Sequence, residues 1–276
     1  MPAQEGAMYA PSYYRAFLLV LLGSFVSSIP AAAVQTDQIQ IAPPMRQIQS
    51  PSPNASAEEL EKQGDELRSH KAYLDAIDYY REAMKKSPQS ASLSNKVGIS
   101  ELMLQRPKEA SKDFKQAIKK DSKLADAYNN LGVSDYVRRK YGAAIKQYKK
   151  ALQLDANSAS FHSNIGAAYF ARKDFEHASE AYAEAVRLDP EIFEHTSHSG
   201  ISAQIASPED RAHYDYIVAK LYAKAKDWDR SLQFLRKAME EGYKGVKDVY
   251  TDPEFAELRK DARFAELMKA TPPVLE

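Results

Sequence analysis

The side chains best suited to metal or acid–base chemistry lie in one short stretch of the chain. His195 and His198 are three residues apart and would share one face of a helix, and His213 follows them. A metal site normally adds a carboxylate or a third nearby ligand. Three acidic residues of this stretch could act as acid and base: Glu194, Glu209 and Asp210. Because nothing distinguishes them from solvated surface residues, we expect no catalytic residue, no metal and no cofactor.

Motifs of known enzymes are also missing from the sequence. It has no cysteine, which removes thiol nucleophiles, thiolate metal sites and redox chemistry. It contains no glycine-rich phosphate loop, no Gly-x-Ser-x-Gly and no His-Glu-x-x-His. We therefore expect a protein that is not an enzyme. A metal-dependent protein that uses residues 193–211 is kept as an alternative.

Four asparagines have the chemistry to bind a polypeptide backbone. Asn95 and Asn129 are 34 residues apart, and so are Asn130 and Asn164. A carboxamide carries a donor and an acceptor together, so it matches one peptide unit of an extended ligand. We predict that these four side chains hydrogen-bond to the backbone of a partner.

The same 34-residue interval recurs through the middle of the chain. Glycine, alanine and aromatic residues each form columns with this spacing. The columns are Gly64, Gly98, Gly132 and Gly166; Ala76, Ala110, Ala144 and Ala178; Tyr80, Phe114, Tyr148 and Tyr182; and Ala83, Ala117, Ala151 and Ala185. Such a period predicts stacked helix–turn–helix units, none of which can bury its apolar face alone. Small residues let the helices approach closely, and the aromatic rings fill the space beside them.

With these columns the chain resembles the tetratricopeptide repeat (TPR) family, and its exported bacterial members in particular. The family motif has Gly, Ala, an aromatic residue, Ala and Pro at these offsets; Pro88 and Pro190 match the proline, whereas Ser122 and Ala156 replace it. The resemblance implies an all-α solenoid, a right-handed superhelix of about five repeats. We expect four repeats, at 57–90, 91–124, 125–158 and 159–192. We expect an insertion at 193–211, a degenerate fifth repeat at 212–245, and a helical cap with tail at 246–276.

The resemblance also implies that the first helix of each repeat lines a concave groove. Exposed positions there follow the glycine, and we expect five apolar side chains of repeats 2 to 4 to contact a partner: Ile99, Leu102, Val133, Tyr136 and Phe170. Asn130 and Asn164 are similar to the asparagine ladder of O-linked N-acetylglucosamine transferases. A carboxylate clamp like that of co-chaperone TPR domains is not expected, because Glu61 and Asp65 stand in its places. The predicted function is a protein–protein interaction scaffold that binds an extended peptide or partner helix.

The N-terminal segment predicts export. Arg15 precedes an apolar run over 16–26, and Ala31, Ala32 and Ala33 follow. A positive flank, a short apolar core and an Ala-x-Ala end are typical of a secretory signal peptide, here 1–33. The run is shorter than the ~20 residues of a membrane span, so we expect membrane contact only through an uncleaved signal segment. We predict a periplasmic or secreted protein of the bacterial envelope, with a disordered Pro/Gln/Ser linker at 34–56.

Charge is balanced over the whole chain but uneven along it. The 38 basic and 38 acidic residues create no overall field that would favour nucleic acid, and we expect no nucleic-acid partner. Repeats 2 and 3 contain 14 basic and 7 acidic residues, whereas repeat 4 contains 3 and 6. A second alternative is therefore a self-associating structural envelope protein, a homo-oligomer in which the patch from Arg138 to Lys140 meets repeat 4.

Overall fold

The computed structural model of the protein describes residues 50–194 and 208–269. These residues form eleven α-helices and three short 3-10 helices, with no β-strand among them, and the predicted all-α solenoid is confirmed. The α-helices are α1 (Ala57–Ser69), α2 (Tyr73–Lys86), α3 (Ala91–Met103), α4 (Pro107–Lys120), α5 (Ala125–Val137), α6 (Tyr141–Leu154), α7 (Ala159–Ala171), α8 (Phe175–Leu188), α9 (Pro208–Lys224), α10 (Trp228–Glu240) and α11 (Ala262–Lys269). The predicted signal peptide, most of the predicted linker, His195 and His198 lie outside the described residues.

The first eight helices form four antiparallel pairs in chain order. Each pair joins a 13-residue first helix to a 14-residue second helix, and each second helix also packs against the first helix that follows. Three first helices begin at a serine whose hydroxyl accepts a hydrogen bond from the backbone three residues later: Ser56, Ser90 and Ser158. These caps satisfy amide groups that have no partner within the helix.

The glycine column marks the closest approach of the two helices in each pair. A Cβ atom at Gly132 would lie 2.6 Å from Cε1 of Tyr148, and the other three glycines face a ring at 2.5 to 2.6 Å. The rings are at most 1% exposed, as Tyr148 is. Glycine is required here because the aromatic ring already fills the volume that a methyl group would need.

Two residues after the end of each first helix, the backbone is left-handed. These residues have φ between 57° and 63°, and none is glycine: Lys71, Gln105, Arg139, Lys173 and Lys226. Glycine adopts this conformation without the steric cost that a side chain brings. The turns therefore carry a strain that the packed helix pairs must outweigh.

A final helix pair and a short cap close the described part of the solenoid. The pair α9 and α10 packs against three 3-10 helices, Val246–Tyr250, Pro253–Phe255 and Leu258–Lys260, and against α11. Phe255 and Leu258 are fully buried in this cluster together with Tyr222 and Leu235 of the helix pair. The cap covers apolar surface that the last pair would otherwise expose. Within the described ranges, no helix has the length and apolarity needed to cross a membrane.

Candidate partner-binding surface of the first helices

The four asparagines form one continuous chain of hydrogen bonds across three first helices. Asn164 Nδ2 donates to Asn129 Oδ1 at 2.9 Å, which joins α7 to α5. Asn129 Nδ2 donates to the neighbouring Asn130 Oδ1 at 3.2 Å. Asn130 Nδ2 donates to Asn95 Oδ1 at 3.1 Å, which joins α5 to α3. We call this chain the amide ladder.

A charged contact continues the same pattern from α3 to α1. Lys96 Nζ lies 2.7 Å from Glu61 Oε1 and 2.6 Å from Asp65 Oδ2. Burial lowers the pKa of Lys96, but hydrogen bonds to Asp65 and Glu61 outweigh it and raise the pKa above its ordinary value. The three contacts between neighbouring first helices therefore follow one rule. The residue two positions before a repeat's glycine contacts the residue three positions before the glycine of the previous repeat, as Lys96 contacts Glu61.

The ladder is mostly inaccessible to a ligand. Asn129 and Asn164 are 2% and 3% exposed, Asn95 is buried, and Asn130 is half-buried. Buried carboxamides need hydrogen-bond partners, and in the ladder each carboxamide is hydrogen-bonded to another one. The geometry assigns the ladder to holding the first helices in register. Contact with a partner's backbone stays a prediction, and Asn130 is the rung with the most accessible surface.

The five apolar residues predicted to contact a partner do not share one environment. Ile99, Leu102 and Tyr136 are half-buried. Val133 and Phe170 are only 4% and 5% exposed. The expectation that Val133 and Phe170 lie at exposed positions is therefore wrong.

Neighbouring helices cover these two side chains. Val133 belongs to a core cluster with Tyr148 of α6 and Ile165 of α7. Phe170 packs edge-on against Tyr214 of α9, with ring centroids 6.1 Å apart. A residue of a first helix is thus buried when the following helix reaches over it.

Two other residues expose the apolar surface of this region. Met103 and Val137 are 55% and 50% exposed, and both stand five residues after the glycine of their repeat. Each directly follows a half-buried residue, Leu102 or Tyr136. We call these four residues and Ile99 the apolar strip. Met103 and Val137 occupy the same position of consecutive repeats.

Tyr136 gives the apolar strip one polar atom. Its ring packs against Tyr141 with centroids 5.3 Å apart. Burial, followed by the nearby Tyr141, raises the pKa of Tyr136 to about 12. The side chain therefore stays a neutral phenol at physiological pH and can donate one hydrogen bond.

Of the three histidines considered for a metal site, only His213 lies within the described residues. Within 50–194 and 208–269, no three His, Asp or Glu side chains are grouped to hold a metal ion. His213 packs against two aromatic rings: Phe175 is tilted against it with centroids 4.3 Å apart, and Tyr243 stacks on it at 5.5 Å. Burial lowers its pKa below the ordinary value.

Comparison with known proteins identifies the repeats. Family models described as TPR repeat and tetratricopeptide repeat match residues 135–173 and 159–192. Residues 135–192 therefore consist of tetratricopeptide repeats, which supports a TPR-family protein. Proteins built from these repeats are generally non-catalytic scaffolds for protein–protein interaction. No curated protein matches the sequence.

Several solved structures are similar to this protein. Pseudomonas aeruginosa pilF is 18% identical with a TM-score of 0.51, over 76% of this chain and 87% of that chain. MamA is 21% identical with a TM-score of 0.46, over 67% and 96%. YrrB, described as a TPR protein with an unusual peptide-binding site, is 18% identical with a TM-score of 0.46, over 74% and 92%. The similarity to pilF shows a shared fold.

Proposed function

We propose that the protein is a non-catalytic scaffold that binds an extended peptide or a partner helix along the first helices of repeats 2 to 4. The observation that supports this most directly is the apolar strip. Met103 and Val137 expose half of their side-chain surface at equivalent positions of consecutive repeats. Contiguous exposed apolar surface is characteristic of interaction sites.

The amide ladder prepares this surface for binding. Because its bonds fix α3, α5 and α7 relative to one another, the apolar strip keeps its shape without a partner. A preorganised surface loses less conformational entropy on binding, and more of the contact energy appears as affinity. Apolar side chains of the partner bind the strip, and the exposed part of Asn130 offers a hydrogen bond to its backbone.

The charged first repeat bounds the site and argues against a carboxylate ligand. Glu61 and Asp65 are engaged by Lys96, and Arg68 lies 3.8 Å from Asp65. These cations already have acidic partners, so a C-terminal carboxylate finds none of them free. The site therefore favours an internal, neutral and apolar segment of its partner.

A pair of serine substitutions tests the site. A photoreactive amino acid at Ala171, next to the strip on α7, is used to crosslink partners in the native envelope fraction. Met103→Ser combined with Val137→Ser is expected to abolish the dominant crosslinked product. Leu154→Ser is the matched control, since Leu154 is also an exposed apolar residue but ends α6, a second helix. Equal crosslinking by the double variant and the control, with unchanged helix content, would remove the strip from the binding site.

We also propose that the protein acts outside the cytoplasm. This rests on the charged, apolar and small-residue pattern of residues 1–33. N-terminal sequencing of the protein from fractionated cells tests it. A mature chain that begins after Ala33, in the periplasmic or secreted fraction, is the expected result. A full-length chain in the cytoplasmic fraction would refute export.

Self-association is a second candidate function, favoured by the charges on the outer side of the second helices. Seven exposed lysines lie on α4 and α6: Lys108, Lys112, Lys115, Lys119, Lys146, Lys149 and Lys150. The corresponding side of α8 carries Glu176, Glu180 and Glu184. Copies could pair these opposite surfaces, and salt would then dissociate them. Light scattering that shows a monomer at all salt concentrations would exclude this candidate.

A further inference from the structure

The outer side of α8 forms one wall of a groove of about 760 Å³. Its other walls are α9 and the 3-10 segments of the cap, which contribute Asp248, Asp252 and Glu254. The groove exists because α9 packs less closely against α8 than the earlier first helices pack against the second helices before them. On α6, Gly142, Lys146 and Lys150 stand where Glu176, Glu180 and Glu184 stand on α8, and all three are exposed.

The floor of the groove is apolar and aromatic. Phe175 and Leu221 line it, and Leu221 belongs to the same core cluster as Tyr182. Tyr216 and Tyr243 stack on each other at its cap side, with ring centroids 4.4 Å apart. These side chains offer contact area for apolar groups of a ligand.

The walls of the groove carry an excess of negative charge. Glu176, Glu180 and Glu184 stand on successive turns of α8, opposite the three acidic residues of the cap. Arg187, Lys220 and Lys224 are the cations of the lining. Six carboxylates against three cations leave the groove strongly acidic.

Ion pairs within the lining account for only part of these charges. Arg187 pairs with Glu184 at 2.5 Å, and Lys220 lies 3.0 Å from Asp252 and 3.4 Å from Glu254. Among the described residues, Glu176, Glu180 and Asp248 form no ion pair. Two of these unpaired carboxylates lie one turn apart on α8, where a row of ligand cations would meet them.

The length of the groove sets the size of the ligand. Phe175 and Arg187 mark its ends on α8, and twelve helical residues span about 18 Å. An extended chain covers that distance with about five residues, whose side chains alternate between two directions. An extended segment can therefore place apolar side chains on the floor and cations toward the acidic walls.

We propose that this groove binds an extended cationic segment of a partner protein, about five residues long, in which Lys or Arg alternates with apolar residues. The site is separate from the apolar strip and has the opposite preference, since the strip favours a neutral segment. The scaffold would then hold two segments at once, selected by different chemistry.

Defined peptides serve as probes for this site. Fluorescently labelled acetyl-Lys-Leu-Lys-Leu-Lys-Leu-amide is titrated with the full chain and followed by fluorescence anisotropy. It is expected to bind at about 50 mM salt and to weaken severalfold at about 300 mM, because salt screens partly exposed charges. The glutamate analogue, with Glu in place of each Lys, is expected not to bind. An analogue with Gly in place of each Leu is expected to bind more weakly because it lacks contact with the floor.

Charge reversal on α8 assigns the binding to the groove. The double substitution Glu176→Lys with Glu180→Lys is expected to lower the affinity for the Lys-Leu probe at least about tenfold. Each exposed charge contact contributes little, but several of them become repulsive together. The helix should accept the change, since Lys146 stands on α6 where Glu180 stands on α8. Glu109→Lys is the control, because Glu109 is an exposed acid on α4 and adds the same sign of charge elsewhere.

Four results would overturn the proposal. Equal affinity of the α8 variant and the control would place the probe elsewhere. Equal affinity of the Lys-Leu and Glu-Leu peptides, or of the Lys-Leu and Lys-Gly peptides, would remove the charge or the floor from recognition. Self-association of the wild type that the α8 variant abolishes would make a second copy the occupant. None of these results bears on the apolar strip, which Met103→Ser with Val137→Ser tests separately.

Discussion

Alanine substitution at two glycines of the third repeat is expected to change stability in opposite directions. Gly132 in α5 is buried against the ring of Tyr148, whereas Gly142 in the first turn of α6 is exposed with no atom within 4 Å of an added Cβ. Neither residue has a positive φ. Replacing a helical glycine by alanine is itself stabilising by about 0.5–1 kcal/mol. Gly142→Ala should show this gain alone.

At Gly132 the steric term decides the sign. The new Cβ would lie 2.6 and 2.7 Å from two atoms of the Tyr148 ring, whereas ordinary contacts begin at 3.4 Å. The ring is 1% exposed and surrounded by packed side chains, so it cannot move freely. Overpacking of this kind costs typically about 1–3 kcal/mol, and somewhat more where nothing yields. Because the ring cannot yield, the upper part of this range applies, about 2–3 kcal/mol. After the helical gain of about 0.5–1 kcal/mol is subtracted, we expect Gly132→Ala to destabilise the protein by about 1–2.5 kcal/mol.

Urea unfolding followed by circular dichroism measures both changes. Since repeat proteins can unfold in parts, hydrogen exchange of α5 and α6 amides serves as a local readout. Gly132→Ala combined with Tyr148→Leu supplies the control, because the smaller side chain leaves room for the methyl group. We expect a favourable coupling of more than about 0.5 kcal/mol between the two changes. Equal stabilisation by alanine at both glycines would refute the close-approach argument.

Three further changes test the ladder, the turns and one half-buried acid. Asn164→Ala should destabilise the protein by about 1–3 kcal/mol in urea unfolding, because it leaves Asn129 Oδ1 buried without its donor, whereas the exposed Asn157→Ala should be near neutral. Lys173→Gly should raise the free energy of unfolding by about 0.5–1 kcal/mol, because glycine relieves the left-handed strain; a loss of stability would contradict this. Burial raises the pKa of Asp113 from 3.8 to about 6, so the folded carboxyl holds its proton more tightly than the unfolded one and stability falls as pH rises through that window. Asp113→Asn should therefore stabilise the protein at pH 7.5 and lose this advantage at pH 3.5, and the same gain at both pH values would refute the linkage.

The fold could be predicted from the sequence because its determinants recur at one spacing. Glycine and the aromatic residue sixteen positions later, such as Gly132 and Tyr148, define each helix pair by direct contact. That contact lies within a single repeat, so it needs no knowledge of the neighbours. The same local logic predicts where the helices begin, as at the capping residues Ser90 and Ser158.

Exposure within the first helices could not be predicted, because it depends on the following unit. Val133 and Val137 are the same residue type on one helix, yet the first is 4% and the second 50% exposed. The packing of α6 and α7 makes the difference. Phe170 is buried by α9, which begins after an interruption of the 34-residue period, so the period carries no information on that contact.

The acidic groove could not be predicted from the sequence either. In the sequence, Glu176 and Glu180 are ordinary exposed positions of a second helix. They become one wall of a groove only because α9 and the cap supply the other walls. Those walls come from residues 213–254, whose packing does not follow the repeat.

The asparagines show that residue type can predict hydrogen bonding without predicting which group is the hydrogen-bond partner. Each inter-helix bond of the amide ladder joins residues 35 positions apart, as Lys96 and Glu61 do in the charged contact. A carboxamide at this spacing can bond to a peptide ligand or to a carboxamide of the neighbouring helix, and only the structure shows that the neighbouring carboxamide is its partner. A rotation of α5 against α3 would break the bond from Asn130 to Asn95 in a largely buried setting, at a cost of about 1–3 kcal/mol. The ladder therefore opposes that rotation and keeps Met103 and Val137 aligned with each other.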